Sequence, residues 1–482
     1  MLNYIYKTPP LAHQAKILDE SADKEYVSLF LRPGLGKSFI IINNFGYLYE
    51  KQECDTLVVV APNGVHRMWV DDEIPKHLPD RIRQNLKSLV WNSQKAKSKK
   101  AKSNREALLK HDGPCVIVVA YEAMITEAFK AFMKHVFAKK IVFMALDESH
   151  RIKGRGSKTR LTITAMGNHT KYRRVLSGTP TEKPPDIYSQ IRFLSADYWK
   201  DCGFKTAAEF DARFCVMVKQ RFGNRPAFNQ VVGYQNLDQL QKYVAKTGYA
   251  MTLEDAGIQL PPLTYSKRYY EMFPEQRRIY DNLANQFRHE FEDGVIVDCE
   301  AAITRLLRLQ QVVCGYLGTG PGEPIRRIGE TKNPRMELLC EVLEDLPDQS
   351  LVFCRFTQDI DQAMEALGKK AIRYDGSVDE DGRAHAKSAF NAGDYKYMVL
   401  SSAGAEGLTL IGASSTIFYS NNYSMIKREQ MEGRNYRLGQ NKPVHIIDLV
   451  CEGTVDNDII EALRNKFDLA SQLTGSKLRE ML

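Results

Sequence analysis

The sequence predicts an α/β fold, with two lobes of parallel sheet joined through a largely helical middle. Three observations carry this expectation. The first half holds four short apolar runs of strand length: "TLVVVA" (Thr56–Ala61), "CVIVVA" (Cys115–Ala120), "IVFMAL" (Ile141–Leu146) and "RRVLSG" (Arg173–Gly178). The second half holds four more: "SLVFC" (Ser350–Cys354), "YMVLSS" (Tyr397–Ser402), "STIFYS" (Ser415–Ser420) and "VHIIDLV" (Val444–Val450). From about Pro184 to Arg327 such runs thin out and helical periodicity takes over.

Near-continuous apolar runs read as strands buried on both faces, and their alternation with amphipathic segments argues for α/β layers. In the middle, "FPEQRRIYDNLANQFRHEF" has Pro274, which suits a first helical turn. Ile279, Leu283, Phe287 and Phe291 then recur at steps of four. "AAITRLLRLQQVV" reads as a second helix. Pro261–Pro262 has two readings, a hinge or a loop.

Composition bounds the function. A chain of 482 residues is expected to hold about two to four domains, and 43% hydrophobic residues suffice for ordinary cores. No apolar run approaches the roughly 18 residues of a membrane span. The start, "MLNYIYKTPP", lacks the apolar core of a signal peptide. Nine cysteines without a CxxC pair read as reduced thiols of the cytosol or nucleus. A net charge of +8 permits a polyanionic partner without demonstrating one.

"LRPGLGKSF" (Leu31–Phe39) ends like a phosphate-binding loop. Gly34 and Gly36 let backbone N–H groups approach phosphate oxygens. Lys37 would reach the β and γ phosphates of a nucleotide, and the Ser38 hydroxyl would bind Mg²⁺. The next residues suit a helix whose N-terminus faces the anion. "IVFMALDESHRIKG" places Asp147 and Glu148 at the end of a buried strand. A carboxylate there needs a partner. Asp147 can hold Mg²⁺, and Glu148 can orient or deprotonate the attacking water.

With these motifs in place, the chain resembles the superfamily-two helicases and translocases, specifically the Swi/Snf-like DNA-translocating ATPases. The resemblance covers nearly the whole chain. "PPLAHQAKIL" is similar to the adenine-reading segment, with Gln14 in that role. "VVVAPNGVHRMW" resembles the family's "APxxxxxxW", ending at Trp69, and "VVAYEAM" its "TTYE". "LDESHRIK" resembles the DEAH-type box, in which His150 links nucleotide state to "LSGTPTEK" (Leu176–Lys183). "YDGSVDEDGR" (Tyr374–Arg383), "SSAGAEGLTL" and "EQMEGRNYRLGQNKPVHIIDLV" resemble second-lobe motifs.

The resemblance implies two RecA-like lobes, with an ATP site in the cleft. Residues 1–260 would form lobe 1, with a helical insertion at about 184–260. Residues 261–482 would form lobe 2, with one at about 265–327. It implies ATP and Mg²⁺ as cofactors, Arg434 and Arg437 as arginine fingers, and Gln430 near the γ-phosphate. The two arginines lie three apart, so a helix would present them on one face. A guanidinium fixed against the charge of a cleaving γ-phosphate is worth roughly a thousandfold or more in rate.

Several positions depart from the family pattern. Leu31-Arg32-Pro33 stands where the family has Asp-Glu-Met. Ala405 and Thr409 replace a Gly and an Asn, and "SNNYSM" (Ser420–Met425) replaces "DxxWNP". These read as a divergent copy, viral or bacterial, or a relative of the strand-annealing branch.

The implied function is ATP-driven movement along double-stranded DNA that remodels protein–DNA or branched DNA structures. The alternatives are a strand-separating DNA or RNA helicase and, outside enzymes, a nucleotide-gated binding module. The expected partner is duplex DNA, with a DNA-bound protein as a second, and no membrane. The chain is expected to be a monomer at the nucleoid in the cytoplasm, or in the host cytoplasm if viral. Trp69 and Tyr121 each read as a DNA contact or as core. "QKAKSKKAKSNR" (Gln94–Arg105) reads as a solvated loop or as a phosphate-contacting arm.

Overall fold

The structure is a computed structural model that describes residues 3–63, 65–220, 228–292, 299–318, 325–329, 333–401 and 407–474. Half of the "SSAGAEGLTL" motif, Ala405 included, lies outside them. The chain divides into two compact units, the first chiefly the residues up to Val216 with Val231–Gln259, the second chiefly Leu260–Phe467. The division falls beside Pro261–Pro262.

In the first unit β1 (Tyr26–Leu31), β2 (Thr56–Ala61), β3 (Lys87–Val90), β4 (Cys115–Ala120), β5 (Val142–Leu146) and β6 (Tyr172–Leu176) precede a two-stranded ribbon. The ribbon pairs β7 (Cys215–Gln220) with β8 (Phe228–Tyr234), and β9 (Gly248–Met251) follows. The sheet runs β3-β4-β2-β5-β6-β1-β9, and every neighbouring pair is parallel. All its strands therefore end at one edge, which is where loops of α/β sheets gather ligands.

The second unit opens with β10 (Leu263–Tyr270) and a short antiparallel pair, β11 (Tyr316–Leu317) and β12 (Arg326–Arg327). Then come β13 (Gln349–Cys354), β14 (Ala371–Tyr374), β15 (Tyr397–Ser401), β16 (Ala413–Phe418) and β17 (Val444–Cys451). Its parallel sheet runs β10-β17-β16-β13-β15-β14. Successive side chains of β13 point to opposite faces. Leu351 and Phe353 join a core with Phe390, Met398 and Leu400, while Val352 and Cys354 join another with Ile360, Val399 and Ile417.

All eight apolar runs form strands, and the fold is α/β as the sequence predicts. The middle is less helical than expected. It carries the β7–β8 ribbon, and β9 and β10 are edge strands of the two main sheets. The helices Pro274–Glu292 and Cys299–Val313 do form, the first starting at Pro274. The basic stretch is not a loop throughout: Lys99–Leu109 is a helix, and the Ser98 hydroxyl accepts from the Ala101 N–H at its start. Among the described residues no helix is long and apolar enough to cross a membrane.

Candidate active site

The first unit brings five loops to the carboxyl edge of its sheet. After β1, the chain turns through Gly34 (φ 92°) and Gly36 (φ 74°) into the helix Lys37–Glu50. Gly36 needs its bare Cα twice over. Its φ is left-handed, and a Cβ would fall 2.2 Å from Gln14 Nε2. Gln14 packs against the loop because His13 and Gln14, on the helix Ala12–Ser21, both bond the Leu35 carbonyl, at 3.0 and 3.2 Å. The Lys37 ammonium donates to the Leu31 carbonyl at 2.8 Å. Ser38 follows in the same first turn.

Asp147 follows β5, the middle strand, and its N–H donates to the Val60 carbonyl at 2.8 Å. Its carboxylate accepts the Trp69 indole N–H and the Glu148 N–H, each at 3.1 Å. The Tyr121 hydroxyl donates to the Asp147 carbonyl at 2.7 Å. Trp69 and Tyr121 are buried, so the DNA-contact reading fails for both, and core packing holds. Sequence reasoning missed what they do there. A buried indole N–H or phenol needs a polar partner, and that rule was the available signal.

The Asp147 carboxyl is pushed up to about 6. Burial is the main cause and the Glu148 carboxylate adds to it, while the Lys37 ammonium and the Trp69 N–H pull the other way. Glu148 sits in the left-handed region (φ 51°), an uncommon conformation for a non-glycine residue that clusters at functional sites. His150 Nδ1 lies 3.3 Å from Glu148 Oε2 and 3.4 Å from Ser177 Oγ. Ser149 donates to Gln190 at 2.6 Å, and Gln190 donates to the Pro180 carbonyl at 2.6 Å. The acidic box is thus bonded to the "SGTP" turn twice. That turn also abuts the phosphate loop, since a Cβ on Gly178 would meet Pro33 Cδ at 2.9 Å.

This donor set suits a hard cation. Among the described residues no three His, Cys, Asp or Glu side chains gather to hold a metal. Mg²⁺ is usually bound by one or two carboxylates plus substrate phosphates, which one ionised carboxylate and a hydroxyl can serve.

In the second unit, the helix Met425–Glu432 ends at Gly433. Arg434 and Arg437 therefore lie in the turn beyond it, which corrects the expectation of a shared helix face. They still converge: each donates to the Leu408 carbonyl at 3.2 Å. Arg434 also donates to the Gln430 carbonyl at 2.6 Å, and Arg437 to the Thr409 hydroxyl at 2.8 Å. The helix is anchored by Arg428, which sequence reasoning passed over. Its buried guanidinium binds both oxygens of Asp448, at 2.5 and 2.9 Å, and Glu432 at 2.6 Å. The four-residue spacing of Arg428 and Glu432 was the visible signal.

Two parallel-sheet units, the first with a phosphate-loop-like turn and an acidic box at its sheet edge, are the features that the family models match. The family model for the SNF2-related domain matches residues 28–315, and that for the helicase conserved C-terminal domain matches residues 334–439. The chain belongs to the SNF2-related family. It is 24% identical to the DNA repair and recombination protein RAD54-like of Danio rerio, covering 91% of this chain and 62% of that protein. It is 26% identical to the SWI/SNF-related matrix-associated actin-dependent regulator of chromatin subfamily A member 1 of Homo sapiens, covering 91% and 40%. It is 24% identical to the DNA annealing helicase and endonuclease ZRANB3 of Mus musculus, covering 92% and 38%. The chain spans less than two thirds of the length of each of these relatives. A solved structure, the Sulfolobus solfataricus SWI2/SNF2 ATPase core in complex with dsDNA, aligns over 98% of this chain and 95% of that one, at 21% identity and a TM-score of 0.43.

Proposed function

We propose that this chain hydrolyses ATP with Mg²⁺ and uses the cycle to move along double-stranded DNA, displacing what is bound there. The observation that carries the reading is the meeting of Lys37, Asp147 and Glu148 at one sheet edge, with Lys37 close enough to act electrostatically on Asp147. Gln14 reads the adenine, and the amides around Gly34 and Gly36 take the phosphates. Ser38 and Asp147 would hold Mg²⁺, which neutralises charge on the phosphate oxygens. Glu148 accepts a proton from the attacking water, and its bond to His150 reports that event to Ser177. Arg434 and Arg437 stabilise the transferring phosphoryl group, with Gln430 beside them.

Duplex DNA is the track this reading assigns, which places the chain with the genome, at a nucleoid or in a nucleus. Phosphate contacts carry little sequence information, so binding is expected to be weakly specific and strongly salt-dependent. The test measures ATPase rate with duplex DNA, single-stranded DNA and RNA side by side. Greatest stimulation by duplex, with displacement of a third strand or bound protein and no unwinding of a plain duplex, supports the proposal. Efficient ATP-dependent unwinding of a tailed duplex replaces it with the helicase reading. No ATP hydrolysis under any condition leaves the binding-module reading.

A further inference from the structure

Arg174 lies on β6, three residues before Ser177, and only 1% of it is exposed. A buried guanidinium normally faces a carboxylate. Here every acceptor is neutral. Nε and Nη2 donate to the Asn44 side-chain oxygen at 3.2 and 2.9 Å. Nη1 donates to the Glu25 and Arg173 carbonyls, both at 2.9 Å. Nη2 donates to the Ser21 and Lys24 carbonyls at 3.3 and 2.8 Å. The plane lies over the Phe143 ring at 5.1 Å.

These acceptors belong to separate segments of the candidate site. Ser21 ends the helix Ala12–Ser21, and its carbonyl, which also accepts the Lys24 N–H at 3.1 Å, stands at the helix C-terminus, where a cation is favoured. Asn44 is on the helix Lys37–Glu50 that follows the phosphate loop, and it donates to the Ala22 carbonyl at 2.9 Å. The opposite end of the helix Ala12–Ser21 carries His13 and Gln14, which hold the Leu35 carbonyl of the loop. One side chain thus fixes one end of a helix whose other end sets the loop. Lysine, with three donors at one point, cannot make this fork.

We infer that Arg174 is a positioning residue for nucleotide binding, holding the Gln14 helix and the phosphate-loop helix in register from the strand that leads to Ser177. It touches no nucleotide and acts through Gln14. The inference rests on ATP being the ligand of the phosphate loop.

The test is a double-mutant cycle on the full chain, read as the Kd of a fluorescent ATP analogue, with a thermal melt beside each titration. Arg174→Met is expected to weaken binding about tenfold in the parental chain and less than twofold in a Gln14→Ala background. Where Arg174→Met does not fold, Arg174→Lys carries the cycle, with the same ordering of effects. An equal loss in both backgrounds makes Arg174 a residue of general stability and overturns the inference, as does no loss at all. Absence of ATP binding by the parental chain, or full affinity in Gln14→Ala, sinks the proposed nucleotide assignment instead, and the inference with it.

Discussion

Trp69 donates its indole N–H to Asp147 Oδ2 at 3.1 Å, across 78 positions of chain. The contact joins the loop after β2 to the carboxylate after β5, two strands that are direct neighbours. It aims a carboxylate that stands beside a second acid, and it favours the charged form. Replacing Trp69 by Phe keeps an aromatic body but removes that donor. Trp69→Phe is expected to cost about 1–3 kcal/mol of stability, from the smaller ring and the unpaired acceptor. Chemical denaturation measures that cost. The variant should also raise the Mg²⁺ concentration needed for half-maximal ATPase rate. A variant with parental Mg²⁺ dependence would show that the bond is structural only.

Asp147 gives the site a pH limb. Its carboxyl is raised from the ordinary 3.8 to about 6, so between about pH 4 and 6 the folded chain holds a proton there that an unfolded chain has lost. Ionising it costs stability as pH rises from about 4 to 6, and the full cost persists above. Asp147→Asn should therefore stabilise the nucleotide-free chain by about 1–3 kcal/mol at pH 7 and by progressively less towards pH 4. A metal needs the ionised form, so apparent Mg²⁺ affinity should fall about tenfold per unit below pH 6. Melting curves and Mg²⁺ titrations across pH 5–8 check both signs. A stability gain that grows towards low pH would reverse the assignment.

The same residue shows how far the sequence could be read. Strands buried on both faces, such as β2, β4 and β5, announce themselves as unbroken apolar runs, and all eight such runs are strands. The strands of the two main sheets that went unread are of two kinds. β3, β9, β10 and β14 are sheet edges, covered on fewer sides, and "LTYSKRYY" of β10 has no continuous apolar run to see. β1 lies inside the sheet, but Ser28 interrupts it, bonded to the Thr247 hydroxyl at 2.8 Å. Candidate site residues that local motifs carry, Lys37 and Asp147 among them, could be picked out one by one, and the structure brings these two to one sheet edge. Partners that meet only through the fold were not: Trp69 with Asp147, Arg174 with Asn44, Arg428 with Asp448. Arg434 and Arg437 sat three apart as a helix would place them, and only the end of that helix at Gly433 shows that a turn does the work.

Lys37 and Glu148 separate binding from chemistry. Lys37 donates from its ammonium to the Leu31 carbonyl, an uncharged acceptor, and the loss of that bond is expected to cost about 1–3 kcal/mol of stability. Lys37→Ala should also lose phosphate affinity and turnover together. Glu148→Gln keeps the shape of the side chain but cannot take a proton, so ATP should still bind while hydrolysis stalls. Equilibrium binding and single-turnover hydrolysis on both variants read these outcomes. Parental hydrolysis in Glu148→Gln removes that residue from the role of base.

Arg434 and Arg437 share one acceptor, the Leu408 carbonyl, yet differ in burial. Arg434 is 9% exposed and also bonds Gln430, whereas Arg437 is half-buried and bonds the hydroxyl of Thr409. Arg434→Ala should therefore destabilise the second unit, by about 2–3 kcal/mol. Arg437→Ala, which leaves Arg434 on the Leu408 carbonyl, should lower stability by about 1 kcal/mol or less. Both should reduce DNA-stimulated turnover by roughly a thousandfold while ATP affinity stays within a few-fold. Stimulated rates normalised to folded protein decide it. Full stimulation in Arg437→Ala would leave Arg434 as the only finger of the pair.

The basic stretch has a physical oddity that favours an anionic partner. Lys99, Lys100 and Lys102 stand in the opening turn of the helix Lys99–Leu109, where the helix dipole disfavours cations, and no acid stands in that turn. Ser98 caps it, and the lysines, with Lys97 just before, are exposed. Arg105, by contrast, is spent internally, donating to the Ala96 carbonyl and lying over the Trp91 ring at 5.2 Å. Replacing Lys97, Lys99, Lys100 and Lys102 by Gln should leave the helix as stable as before or more so, because the unfavourable charges are gone. Duplex DNA binding should weaken. The slope of log affinity against log salt should fall by about 0.9 for each lysine that had neutralised a phosphate, up to about 3.6 for all four. Binding isotherms from low to physiological salt, with a thermal melt beside them, read both effects. An unaltered slope makes the four lysines a solvated face, and Arg105→Gln, which should instead lower the melting temperature without moving the slope, is the internal control.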